Sequence, residues 1–162
     1  MISEKMQKAI NEQIQAEMGS AYIYLSMAAC FHSIIMEGMA KWMHVQVKEE
    51  NAHAMKFFQY LVDRGGRVEL LAIDKPQLEW ASPLEAFRAA YKHEQYITGR
   101  INNLMKLAYD EGDTATLVFL QWFVTEQVEE EANTSKIVQM LEKIGESTNG
   151  LFMLDHNLGK RE

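Results

Sequence analysis

The chain is short of the residues that build several common architectures. Its only cysteine is Cys30, which rules out an intramolecular disulfide and a thiolate cage for zinc or an iron–sulfur cluster within one subunit. A reducing, cytoplasmic compartment follows as the expectation, with Cys30 as a buried packing residue. Basic charge is also scarce: 16 Lys and Arg face 23 Asp and Glu, for a formal net charge of −7. That balance excludes nucleic acid as a partner, because binding it depends on cations that neutralise phosphates, and it favours small cations. Long apolar runs are lacking too. The amino terminus, MISEKMQKAINEQ, has no signal-peptide core and reads as the first turns of a helix. Residues 18–36 are uncharged, but Gly19, Ser20, Ser26, His32 and Ser33 dilute them and Glu17 adjoins them. They read as a helix buried on two faces, one in its own bundle and one against another subunit, and not as a membrane span.

Proline occurs twice and glycine nine times in 162 residues, and they punctuate long periodic segments. With 48% hydrophobic and 24% charged residues, the composition suits one globular domain over residues 1–162. Ser3 can cap a first helix over about 4–32, with an apolar seam at Ile10, Ile14, Ala21, Tyr24, Ala28 and Phe31. After a short turn a second helix spans about 38–64, closed by Gly65 and Gly66. Ser82-Pro83-Leu84-Glu85 combines a cap, a first-turn proline and a reciprocal glutamate, and opens a third helix over about 83–111. Gly112 ends it, Asp113 caps a fourth over about 114–144, and a short fifth is expected over about 148–158. Residues 65–82 contain Pro76, lack helical periodicity, and can extend to roughly 55–60 Å. A helix of about 28 residues is about 42 Å long, so this connection can cross the whole bundle. The expected fold class is all-α: a four-helix bundle with one long crossover between the second and third helices. An up-down-up-down bundle with a loose loop is the alternative.

Polar residues interrupt every apolar seam near its middle. They are Glu17 on the first helix, Glu50 and His53 on the second, Glu94 on the third, and Gln127 and Glu130 on the fourth. The spacing repeats. Glu50 and His53 follow Glu17 by 33 and 36 positions, and Gln127 and Glu130 follow Glu94 by the same 33 and 36. Folding each hairpin at its turn brings these groups level. Four carboxylates gathered inside a bundle would repel one another or take up protons, so a compensating charge is expected. Two divalent ions balance Glu17, Glu50, Glu94 and Glu130. Oxygen-rich ligation with one imidazole suits iron or manganese better than zinc.

With these landmarks, "EENAH" at 49–53, "EQVEEE" at 126–131 and Tyr24, the chain resembles the bacterial non-haem ferritins from its first helix to its end. The resemblance implies a ferritin-like fold and a ferroxidase that oxidises Fe(II) with oxygen or peroxide. It also implies ferric mineral stored in a hollow homo-oligomer of 24 subunits. It implies that Glu17, Glu50 and His53 hold one iron and Glu50, Glu94 and Glu130 a second, with Gln127 close by. A third iron site would use Glu49, Glu126, Glu129 and Glu130. Tyr24 would hydrogen-bond a ligand or supply an electron, and Trp122, one turn before Glu126, stands nearby. Haem is not expected, because the haem-ligating methionine of bacterioferritins falls at Asn51, and Gln127-Val128-Glu129-Glu130 departs from their Glu-x-x-His. The acids that line the threefold channel of animal ferritins fall near Leu117 and Leu120, so that iron route departs from the pattern. His32, His44, His93 and His156 have no recognisable ligand spacing and read as structural or surface residues. Two other readings stay open: a soluble di-iron oxidase or peroxidase without storage, and a bundle whose central polar residues only fix register.

Overall fold

A computed structural model describes residues 1–162 and contains five helices and no strand: α1 Glu4–Ser33, α2 Glu37–Asp63, α3 Pro83–Asp110, α4 Thr114–Ile144 and α5 Thr148–Leu158. Local chemistry starts four of them. Ser3, Ser82, Asp113 and Ser147 each accept a hydrogen bond from a first-turn backbone N–H, of Met6, Glu85, Thr116 and Gly150, satisfying donors that a helix start leaves orphaned. Gly65, with φ at 74°, closes α2 through the Gly66 N–H to Leu61 carbonyl bond of 2.9 Å.

Two hydrophobic clusters fix the topology. One gathers Tyr24 to Phe31 of α1, Met39 to Met43 of α2, Ala86 to Ala90 of α3, Ile137 to Leu141 of α4 and Leu154 of α5. The other gathers Met6 to Ile14, Phe57 and Leu61, Ile97 to Ala108, and Leu120 and Phe123. The start of α2 therefore packs level with the start of α3, while the end of α1 meets both. Helices α2 and α3 run parallel, so the chain between them must travel the length of the bundle. It does so along α1. Asn11 donates to the Arg67 carbonyl and accepts from the Glu69 N–H, Gln15 donates to the Ala72 carbonyl, and Ser26 donates to the Gln77 carbonyl. Polar side chains spaced along one face of α1 thus bind a strap that has no secondary structure of its own. The crossover is present, and the fold is the ferritin-like one.

Helix α2 has no side-chain cap of its own at Met36. Asp155 of α5 supplies one from across the chain, accepting from the Met39 N–H at 2.8 Å. Gly38 permits that approach, since a Cβ built there would lie 1.8 Å from the Asp155 carbonyl oxygen. Gly38→Ala is expected to lift α5 off α2 and cost about 1–3 kcal/mol, the usual scale of overpacking, measurable as a fall in the thermal midpoint.

Residues 18–36 lie in α1 and the turn after it, and no helix is long and apolar enough to cross a membrane. Cys30 is half-buried and not sealed in the core, because the α1 seam runs through Met27, Ala28 and Phe31 and carries residue 30 to its edge. His32 and His44 meet through their Nε2 atoms at 3.1 Å, and His32 Nδ1 faces Glu37 at 2.7 Å. Their ring centroids are 5.4 Å apart, about the N···N distance plus two ring radii. The rings therefore meet end to end as an N–H···N hydrogen bond and do not converge on a shared ion.

Candidate metal centre

Between the two apolar clusters lies a belt of polar residues. Glu17, Glu50, His53, Glu94, Gln127 and Glu130 are all buried, none more than 4% exposed. Each is carried there by its own helix seam, so four rigid elements aim them at one region. Three groups place single ligand atoms within 4.8 Å of one another: Glu17, Glu50 and His53; Glu50, Glu94 and Glu130; and His53, Glu126 and Glu130. Glu50 belongs to the first two, as a bridging carboxylate must. His53 sits with Nδ1 3.3 Å from Glu50 Oε2 and 4.0 Å from Glu17 Oε2, and with Nε2 3.8 Å from Glu126 Oε1. Its ring thus stands between the inner carboxylates and an outer one. Glu49 and Glu129 belong to none of the three groups.

The electrostatics of the belt are set by burial and by repulsion among its carboxylates. Burial, and then repulsion from Glu50, pushes the Glu17 carboxyl well above its ordinary range. Burial followed by the Glu94 and Glu130 charges does the same to Glu50. Burial also raises Glu94, against hydrogen bonds from Tyr24 and Gln127, and pushes Glu130 up to about 8, with Glu94 the next cause. Glu17 Oε2 is buried with no hydrogen-bond partner, and such an orphan normally costs free energy unless something else satisfies it. Hard oxygen donors with one imidazole, one of them unpartnered, fit a pair of first-row divalent ions.

A second layer of hydrogen bonds holds the carboxylates. The Tyr24 hydroxyl donates to Glu94 Oε1, and the Gln127 amide donates to Glu94 Oε2 at 3.2 Å. Two residues absent from the sequence reading complete the layer. Gln13 donates to Glu17 Oε1 at 2.7 Å, and Gln46 donates to Glu130 Oε2 at 2.7 Å and Glu50 Oε1 at 3.2 Å. Each of these amides is held from behind by an arginine: Arg100 Nε donates to Gln13 Oε1, and Arg161 Nη1 to Gln46 Oε1, both at 3.0 Å. The amide oxygen faces a cation and the amide nitrogen faces the carboxylates, so neither glutamine has freedom to flip. Trp122 lies edge-on to His53 at 5.5 Å between centroids, with the Lys56 ammonium over its ring. His93 is a structural residue: its Nε2 lies 2.6 Å from the Ser20 hydroxyl, and burial lowers its pKa to about 4.

A strap-crossed bundle with a buried carboxylate and imidazole belt defines the class of ferritin-like proteins. Residues 7–144 match the family described as Ferritin-like domain. The bacterial non-heme ferritin of Bacteroides fragilis is 43% identical over 161 residues, covering 99% of this chain and 100% of its own. The Staphylococcus aureus protein of the same name is 37% identical, over 99% of this chain and 97% of its own. A crystal structure of an open pore ferritin from the archaeon Archaeoglobus fulgidus matches with a TM-score of 0.99 at 52% identity, and the match covers both chains in full. The chain belongs to the ferritin-like family, on the side of its bacterial non-heme ferritins.

Proposed function

We propose that the protein stores iron, oxidising Fe(II) at the buried belt and depositing ferric mineral inside a shell of 24 copies. The observation that carries this reading is the sharing of Glu50 between two three-residue groups of ligand atoms in a site with four buried carboxylates. Glu17 and His53 take the first Fe(II), Glu94 and Glu130 the second, and Glu50 bridges. Tyr24 and Gln127 hold Glu94 in place by hydrogen bonds, and the two ferrous ions balance the four negative charges. Each Fe(II) gives up one electron; dioxygen takes both electrons and two protons and leaves as hydrogen peroxide, or peroxide is reduced to two waters in the same way. Carboxylates bind Fe(III) without the permanence of a thiolate or multi-imidazole site, so the product ions can move on to the mineral. Glu126, with Glu49 and Glu129 further out, forms the next acidic stage and the third iron position.

Assembly is supported by apolar surface that one subunit leaves uncovered. Tyr22 and Leu25 on α1, and Leu70, Leu71, Ile73 and Leu78 on the crossover, are exposed, and clustered apolar exposure of this kind marks contact surfaces. Twenty-four subunits of 18.7 kDa make a particle of about 450 kDa. Addition of Fe(II) in air is expected to raise ferric absorbance in step with the iron added and to yield electron-dense cores inside particles of that size. Size-exclusion chromatography and electron microscopy read the outcome. A particle of a few subunits that accumulates no mineral would replace storage with a soluble di-iron oxidase.

A further inference from the structure

The carboxyl-terminal tail reaches the metal belt. After α5, the Arg161 guanidinium stacks over the Trp42 ring at 4.3 Å from its centroid. It donates to the Trp42 carbonyl at 3.3 Å, to Gln46 Oε1 at 3.0 Å and to Glu49 Oε2 at 2.5 Å. Trp42, Gln46, Glu49 and Glu50 follow one another on the same face of α2, so one planar cation spans two turns of helix above the bridging carboxylate. Its seat is set firmly. Asp155 caps α2, Gly38 admits α5 at backbone contact, and the Arg161 N–H closes on the Leu158 carbonyl at 3.3 Å.

Arg100 and Arg161 both stand behind an amide that faces the belt, but they differ in one respect. Arg100 touches no acidic partner, whereas Arg161 pairs directly with Glu49. Glu49 lies one residue from the bridge and is 39% exposed, on the side where Glu126 and Glu130 meet His53. The guanidinium reaches Glu49 through Nη2 alone while Nη1 serves Gln46 and the Trp42 carbonyl, so its planar group fixes the direction of one charge-assisted hydrogen bond to the carboxylate. With it in place, Glu49 is a neutralised pair and not a free ligand.

We infer that Arg161 is a tethered counter-cation for the outer stage of the site: it holds Glu49 until a metal ion moving outward from the pair displaces it. This rests on the iron reading proposed above. The tail then sets how readily a subunit takes a third ion, and loading that ion removes the one ionic contact among those that hold the last residues of the chain. The guanidinium and the metal exchange one carboxylate oxygen, with no change of oxidation state and no proton transferred.

The test uses the assembled full-length protein, titrated anaerobically with Co(II), together with Arg161→Gln, Arg161→Lys and Glu49→Gln. The native protein is expected to bind two ions tightly and a third more weakly. Arg161→Gln is expected to tighten the third by about tenfold, equivalent to about 1.4 kcal/mol, and to loosen the first two without changing their stoichiometry, because Gln46 loses the cation behind it. Arg161→Lys, which keeps the charge but not the fork, should fall between, and Glu49→Gln should lose the third ion. Hydrogen exchange of residues 159–162 is expected to rise when the third ion binds to the native protein and to stay flat in Glu49→Gln. A third-ion affinity untouched by Arg161→Gln, or tail exchange indifferent to metal, overturns the inference and leaves Arg161 as a staple for α5. Failure of the native protein to bind even two ions is a different result, which removes the iron reading itself.

Discussion

Replacing Glu50 by alanine is expected to reduce the initial rate of Fe(II) oxidation by at least about 100-fold and to lower tight divalent-ion binding from two per subunit to one or none. The size of the effect follows from the place of Glu50 in both inner groups of ligand atoms. Loss of a residue that merely orients a ligand typically costs 10–100-fold in affinity or activity, and loss of a carboxylate shared by two ions, the role proposed for Glu50, is expected to exceed that. The variant is also informative about stability. Burial and the Glu94 and Glu130 charges make ionised Glu50 unfavourable in the metal-free protein, so its removal relieves repulsion there. Glu50→Gln keeps the shape and drops the charge; it should fold as well as the parent and oxidise iron as poorly as Glu50→Ala. Rapid-mixing absorbance at a fixed iron-to-subunit ratio gives the rate, and anaerobic titration gives the stoichiometry. An unaltered rate in either variant would place oxidation somewhere other than this belt.

Much of the molecule could be read before its structure, for reasons that differ by element. The belt was legible because a glutamate in an apolar seam has no inexpensive alternative to a compensating partner, and the repeat of 33 and 36 positions predicts that four helices bring these residues to one region, where the structure has them. The caps were legible at Ser3, Ser82 and Asp113 because capping is local in sequence. The start of α2 was not, since its cap is Asp155, 116 residues away. The path of the crossover was written in Asn11, Gln15 and Ser26, polar residues on one face of α1, but only contact with the strap reveals their purpose. Gln13 and Gln46 left a usable signal. Each stands four residues before a belt glutamate, and they are 33 positions apart, as Glu17 and Glu50 are. Their arginines left none. Arg100 and Arg161 reach them through tertiary approach from α3 and from the tail, over 87 and 115 residues. The implied outer stage is where sequence and geometry differ most in detail, because Glu49 is paired with Arg161 and Glu129 is exposed and belongs to none of the three ligand groups.

Stability of the metal-free protein is expected to fall as pH rises from about 5 to about 8, and binding of a divalent ion is expected to abolish the fall. The carboxyls of Glu17, Glu50, Glu94 and Glu130 all have folded values raised above the ordinary 4.5, that of Glu130 to about 8. A raised carboxyl contributes its full stability below the unfolded value, where both states carry the proton. That contribution is lost as pH climbs through the folded value, because the unfolded chain releases the proton first. One pKa unit corresponds to about 1.4 kcal/mol, so Glu130, raised to about 8, contributes on the order of a few kcal/mol to this loss, and Glu17, Glu50 and Glu94 act in the same direction. A bound pair of dications takes the place of the protons, and because metal competes with protons for the same oxygens its hold strengthens with pH. Chelator-stripped protein should therefore have a lower thermal midpoint at pH 8 than at pH 5.5, and Zn(II)-loaded protein should show a raised midpoint with no such decline. A bundle whose central polar residues serve only to fix register makes the opposite forecast for metal, namely no response at either pH. The parent's response to Zn(II) at pH 8 separates the two accounts: leucine at Glu17, Glu50, Glu94 and Glu130 should stabilise the metal-free bundle and remove its pH dependence under either one, whereas only a metal-binding belt lets the parent recover its stability when the ion is added.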